Sequence, residues 1–400
     1  MSFPIKQQGI LRASRRPRAW SVSFSMAGKT GTREDAATGL VAGVSADGTV
    51  VRNDFDRIPI FQRPIFNATW DRVSRQWIRF TPLGEAGFTW SPTEPYREVV
   101  YRCQPFWYKL DMDATYAPCR VSVTDRPLPG YTLAPMFKNG SDFVYRPCFE
   151  LALGEDGLPH SRAGLMPLRT DGVALMEKAR TYDSTARTES VKDWFSDVLL
   201  MLVEFARWDM YTLMSGNAAT APVETGGALR RVAATSGCAE KDQPCVWRGK
   251  ENPWRNVNST LCDLMLRKVT SAGGNRLELC YLPDVALYDG TLNQHYRTLG
   301  DYISHSSGVT EICGFAEKFG FMYPSLPRTT GVASKGASYL FADYASDKPI
   351  VVAVGGNSST YMLNNTTIVP FPTSFECVDL SNWRAAYCGA RLVLEEGGQR

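Results

Sequence analysis

One stretch of this chain carries a sustained helical period, and it lies within a sequence otherwise broken at short intervals by Pro, Gly and Asp. In "TESVKDWFSDVLLMLVEFARWDMYTLMSGN" apolar side chains recur at Val191, Trp194, Phe195, Val198, Leu202 and Phe205, the i, i+3, i+4, i+7 stripe of a half-buried helix. Ser190 is placed to cap it, Asp193 stands three residues later in a box-like position, and "SGN" from Ser215 supplies a stop. A shorter helix is expected in "GVALMEKART", with Val173, Leu175, Met176 and Ala179 as its stripe.

Around these helices the chain reads as short strands. "FDRIPIFQRPIFNATWDRVSRQWIRFTP" breaks into apolar, aromatic-rich runs, and "YREVVYRCQPFWYKLDMD" alternates as one strand or a hairpin arm. Pro-Gly and Asn-Gly turns flank "YTLAPMF", and "DFVYRPCFEL" follows as the next strand of an antiparallel sheet. After Gly226 the chain is loop-rich with weak strands such as "NRLELCYLP". No 20–50-residue repeat is apparent. Strands, then helices, then long loops with short strands give an α+β fold rather than βαβ alternation.

With 400 residues, 44% of them hydrophobic and 21% charged, the chain has the composition of a fully folded protein of two or three domains. Residues 1–60, rich in Gly, Ala, Ser and Arg, read as an N-terminal arm or small β-element that needs a partner surface. Residues 61–94 read as a β-rich connector and 95–400 as the main domain. Lys and Arg number 44 against 41 Asp and Glu, which argues for neither a nucleic-acid partner nor an anionic membrane. The one basic cluster, "LRASRRPRAW", is a solvated arm or a contact to a partner. There is no run of about 18 apolar residues and no signal-peptide layout. A soluble chain made in a cytoplasm, without membrane insertion, is therefore expected.

The motifs of common chemistries are missing. "GGALRR" and "SAGGNR" lack the spacing and the Lys-Ser/Thr of a phosphate-binding loop. His160, His295 and His305 form no recognisable triad and leave little material for a His-based metal site. Ten cysteines occur without a C-x-x-C pair, so buried free thiols are expected, and no metal or cofactor is assigned. Asp111 with Asp113, or Glu150 with Glu155 and Asp156, are solvated carboxylates, paired acids or cation ligands. Cys377 and Cys388, with Arg384 between them in sequence, are packed thiols or a redox pair. In "VWRGKENPWRNV", Asn252 precedes Pro253 and is pushed toward an extended or turn conformation. Trp247 and Trp254 there pin a long loop on the core or offer a sugar platform.

"WRGKENPWRNV", then "VAVGGNSST" and "VDLSNWRAAYCGARLVL", resembles bacteriophage tail-fibre and related virion proteins whose C-terminal part has a C-type lectin-like fold. "PFWYKLDMD", "LPGYTLAPMF", "DFVYRPCFELAL" and the helix fall in the family's order, so the resemblance spans residues 95–394. Arg255 stands where the family usually has Gly, so the local turn is expected to differ. The fold is also similar to that of formylglycine-generating enzymes, but their closely spaced C-terminal cysteine pair is not matched by Cys377 and Cys388. No enzymatic activity is therefore expected.

The resemblance implies a tail-fibre or head-fibre protein of the virion that binds a bacterial surface glycan or protein. Its N-terminal region would attach to other virion proteins, and a homo-oligomer, above all a trimer, would add avidity. The alternative is a decoration or collar protein without receptor binding. The receptor face is expected at Asn357, Ser358, Tyr361, Asn382, Trp383, Arg384 and Tyr387, in polar and aromatic segments suited to adaptable contact. The run Gly389–Leu394 is expected to be a buried strand, paired antiparallel near the start of the lectin-like domain.

Overall fold

The structure, a computed structural model, describes residues 18–24, 30–112, 118–140, 142–208, 210–217, 221–240, 243–271, 274–304, 308–327, 338–342, 350–354, 362–363, 366–367, 375–379 and 388–396. Two α-helices are present among them, α1 (Gly172–Tyr182) and α2 (Val191–Phe205), and the rest is β-rich and mainly antiparallel. The fold class is therefore β-rich α+β. No helix among the described residues is long and apolar enough to cross a membrane.

Helix α2 is the spine of the molecule. Ser190 accepts from the Asp193 N–H, and the Asp193 carboxylate accepts from the Ser190 N–H, forming the expected capping box. The far end departs from expectation. The helix stops at Ala206, which takes the left-handed conformation with φ 53° and returns its N–H to Leu202 O. It is also not half-buried, because every residue but Lys192 is enclosed. The reason is that α2 packs against four strands at once, β1 (Ala19–Phe24), β7 (Pro118–Thr124), β15 (Asn258–Ser271) and β19 (Phe321–Pro327). Helix α1 starts where Asp171 accepts from the Ala174 N–H at 2.9 Å, and it buries Leu175, Met176, Ala179 and Tyr182.

A five-stranded sheet runs β2–β1–β7–β6–β8, with β2 (Gly31–Asp35), β6 (Trp107–Met112) and β8 (Thr132–Leu133). A four-stranded sheet runs β4–β3–β5–β9, with β3 (Ile65–Asp71), β4 (Gln76–Pro82), β5 (Arg97–Cys103) and β9 (Val144–Pro147). "YREVVYRCQPFWYKLDMD" thus supplies two strands, β5 and β6, which belong to different sheets. The Pro-Gly turn before β8 forms as expected, with Gly130 at φ 78° and the Tyr131 N–H on Leu128 O. Short pairs follow in β10 (Ala152–Leu153) with β11 (Pro159–His160), and in the ribbon β12 (Ser236–Cys238), β13 (Cys245–Trp247), β14 (Lys250–Glu251).

The largest sheet contains β15, β16 (Gly274–Tyr281), β17 (Arg297–Ser304), β18 (Gly308–Lys318), β19, β20 (Ser338–Ala342) and β21 (Ile350–Val354). A hairpin of β22 (Met362–Leu363) and β23 (Thr366–Thr367) stands apart, while β24 (Phe375–Asp379) and β25 (Cys388–Gly389) rejoin the large sheet.

The stretch expected as an attachment arm is not free where it is described. Strand β1 pairs with β7 from Ala19–Thr124 to Ser23–Arg120, and Trp20, Val22, Phe24, Phe55, Ile60 and Phe61 lie in the same core as α2. The apolar area of these six side chains is covered by this chain itself, so they need no partner to be buried. Strand β3 likewise pairs with β5 across position 95.

Candidate functional site

Three acids on the enclosed helix, Asp193, Asp197 and Glu204, gather cations from remote segments. Asp193 receives Arg146 (2.6 Å) and Arg187 (2.6 Å). Asp197 receives Arg63 (2.5 Å) and Lys250 (2.9 Å), and Lys250 also reaches Glu189 at 2.5 Å. Glu204 takes Arg248, the Trp247 indole N–H (2.9 Å) and the Asn53 amide (2.7 Å). Burial alone would raise the Asp193 carboxyl, but the two guanidiniums hold it well below the usual carboxylate range. Removing one partner of such a pair costs about 3–5 kcal/mol, whereas the intact pair mainly fixes which segments meet.

Those segments include the whole of "WRGKENPWRN". Trp247 and Trp254 are fully buried, and the Trp254 indole donates to Met214 O at 2.9 Å. The rings pin the loop on the core, so neither offers a face to a sugar. Arg248, Asn252 and Arg255 all adopt positive φ, 47°, 49° and 56°. Of the extended and turn conformations expected at Asn252, the backbone takes a left-handed turn conformation. At Arg255 the backbone takes the left-handed conformation that favours glycine. The cost of order 1–2 kcal/mol per residue is offset by bonds such as Arg255 to Ser215 O (3.0 Å) and the Asn252 N–H to Cys245 O.

The C-terminal "GARL" closes this cluster. Arg391 is fully buried, and its guanidinium donates to Cys148 O (3.2 Å), Glu251 O and Asn252 O (2.8 Å). One side chain thus ties together "YRPCFEL", "RGKENP" and "GARL", three segments far apart in sequence. Glu251 beneath it accepts the N–H groups of Gly226 (2.6 Å), Ala228 (3.1 Å) and Leu229 (2.7 Å). Burial nevertheless pushes its carboxyl up to about 7. Glu150, expected among solvated acids, is buried on the amides of Asn252 and Asn256.

Residues 389–394 are buried as expected, but they do not form the expected strand: β25 ends at Gly389, Val393 makes an isolated bridge, and the pairing differs. Cys388 and Gly389 lie parallel to Asn258 and Ser259, Val393 bridges Arg187, and Leu151 donates to Ala390 O. The partner is the start of β15 in the middle of the chain. The start of β15 and the described end of the chain thus meet, with the Thr260 hydroxyl on Gly389 O at 3.1 Å.

A cleft of about 710 Å³ opens where the start of α2, the end of α1, the turn after β16 and the chain end meet. Its buried lining holds Arg187, Asp193, Asp263 and Ser190, and Arg75, Lys138 and Lys192 stand among its outer residues. Asp263 accepts the Val191 N–H at 2.8 Å, and burial pushes its carboxyl up to about 7. Volume and mixed charge suit a small polar ligand. Nothing in the sequence patterns pointed to this cleft.

The other expected groups are dispersed. His160 is enclosed between Glu98 (2.7 Å) and Asp156 (3.0 Å), so both ring nitrogens are engaged. His295 is exposed, and Asp111 pairs with Lys109 at the surface. No group of three or more His, Cys, Asp or Glu among the described residues is arranged to hold a metal. Asn357, Ser358, Tyr361, Asn382, Trp383, Arg384 and Tyr387, with Asp113 and His305, lie outside the described residues. All seven expected receptor contacts fall within 260–387. No family model matches the chain, and a search of curated proteins finds no match.

Proposed function

We propose that the chain is a bacteriophage virion protein, a tail-fibre or head-fibre subunit, that binds a bacterial surface glycan or protein through a C-type lectin-like domain. The observation that carries this reading is the convergence of its motif segments on Arg391, which donates to Cys148 O, Glu251 O and Asn252 O. Those three segments are among the ones quoted for the family resemblance. Their meeting around one buried guanidinium supports this reading.

The clamp between β15 and β25 supports a division of labour. Strands β15 and β25 are held on the ion-paired core around α2, and binding residues are commonly displayed on segments that a rigid core positions. The receptor face proposed is Asn357, Ser358, Tyr361, Asn382, Trp383, Arg384 and Tyr387, and the protein acts as a homo-oligomer on the particle, a trimer in the first instance. The test is binding of the fluorescently labelled full chain to a panel of bacterial strains, with its mass in solution measured alongside. Saturable binding to particular strains by an oligomer is the expected result. A chain that decorates particles but binds no strain is instead a decoration or collar protein.

A further inference from the structure

Seven cysteines are buried free thiols among the described residues, and two of them face each other. Cys238 on β12 and Cys245 on β13 are direct cross-strand partners. Arg248 donates its N–H to Thr235 O at 2.9 Å, which makes Thr235–Arg248 a hydrogen-bonded position. Antiparallel positions alternate, so three steps along, Cys238–Cys245 is a non-hydrogen-bonded one, where Cα atoms stand about 4.5 Å apart and side chains are closest. The outward bonds agree with this. The Cys238 N–H goes to Ser45 O (2.9 Å), and Cys245 O accepts from Asn252 (2.8 Å). The Cys238 side chain stands close enough to act on the Cys245 thiol. Other thiols have different partners, Cys262 on Thr188 O (3.2 Å) and Cys280 on Glu278 O (3.7 Å).

We propose that Cys238 and Cys245 are a modification site, forming a reversible cross-strand disulfide when the chain meets a low-molecular-weight disulfide oxidant. A thiolate of the pair attacks the oxidant and displaces one thiol. Its partner then attacks the mixed disulfide, closing Cys238–Cys245 and releasing the second. Two protein thiols are oxidised and one small disulfide is reduced to two thiols. The spacing lies at the short end of the about 4.4–6.8 Å that a disulfide spans, so the bond is readily reduced again. Burial pushes the Cys245 thiol well above its usual range, with the Cys238 side chain adding to it, so exchange is slow while the hairpin stays closed. The hairpin leads directly into Arg248 and Glu251, so closing it staples the polar cluster of the scaffold.

The full chain is incubated folded, and separately refolded, in oxidised glutathione, then quenched with acid, alkylated and mapped by mass spectrometry. The expected result is a Cys238–Cys245 link in one or both arms, two hydrogens lighter than the dithiol. The other five buried thiols are alkylated, and the link disappears in dithiothreitol. Cys238→Ser and Cys238→Ala should leave Cys245 alkylatable without a new bridge. Two free thiols in both arms, glutathione adducts alone, or links scattered among other cysteines would overturn the proposal, and the wild-type map decides this even if a variant does not fold.

Discussion

Arg391 is the side chain on which the scaffold depends most, and its replacement gives the sharpest prediction. Arg391→Ala leaves the carbonyls of Cys148, Glu251 and Asn252 without their charged donor, in a site closed to water. Bonds to charged groups are worth about 1.5–3 kcal/mol each and are not additive, so a loss of roughly 4–6 kcal/mol is expected. That is a large share of the about 5–15 kcal/mol by which a domain is stable. Arg391→Lys keeps the charge but not the planar fork, and should lose about half as much. The guanidinium also lowers the carboxyls of Glu150 and Glu251 against the stronger effect of burial. Without it both rise further, so the Ala variant should be penalised more at pH 8 than at pH 5. Urea unfolding followed by tryptophan fluorescence at both pH values measures this. A loss under about 1 kcal/mol, or Ala and Lys variants of equal stability, would refute the argument.

Asp263 and Glu251 are both pushed up to about 7, above their unfolded values, so their contribution is fully present below about pH 4 and is lost as pH rises through 7. Glu395, beside Arg187, is instead held down at about 2, so its contribution is lost as pH falls from about 4.5 through 2. Stability should therefore peak near pH 5 and decline toward pH 8. Asp263→Asn, which keeps the acceptor for Val191, should raise the melting temperature at pH 8 and not at pH 5, and an equal shift at both would show the pH assignment wrong. A chain ending at Ala386 loses Arg391 and the buried Leu392, Val393 and Leu394, and should not fold; calorimetry showing a cooperative melt of the truncated protein would contradict this.

The start of α2 was legible because capping is local: Ser190 and Asp193 satisfy each other within one turn. Its end was not, because Ala206 takes a left-handed conformation that a reader assigns to Gly or Asn. The pinning role of Trp247 and Trp254 followed from their size, but the burial of Asp193, Asp197 and Glu204 did not. Acids on a helix read as its wet face until the cations that meet them are located, and those come from Arg63, Arg146, Arg187, Arg248 and Lys250. The apolar run Leu392–Leu394 announced its burial, while its neighbours on β15 and at Arg187 are long-range choices that no local pattern encodes. The weak periodicity of the first 60 residues gave no sign that Trp20, Val22, Phe24, Phe55, Ile60 and Phe61 would join the core around α2. The Cys238–Cys245 pairing was hidden for a similar reason, since it depends on strand register rather than on a C-x-x-C spacing.

The proposal that Asn357, Ser358, Tyr361, Asn382, Trp383, Arg384 and Tyr387 form a receptor face is tested most directly by the double variant Trp383→Ala, Arg384→Ala on strains that the wild-type protein binds. A loss of affinity of about 30-fold or more is expected, the equivalent of a hot spot of about 2 kcal/mol, with the melting temperature unchanged. A folded double variant that binds those cells as tightly as the wild type would contradict it, as would a wild-type protein that binds no strain at all.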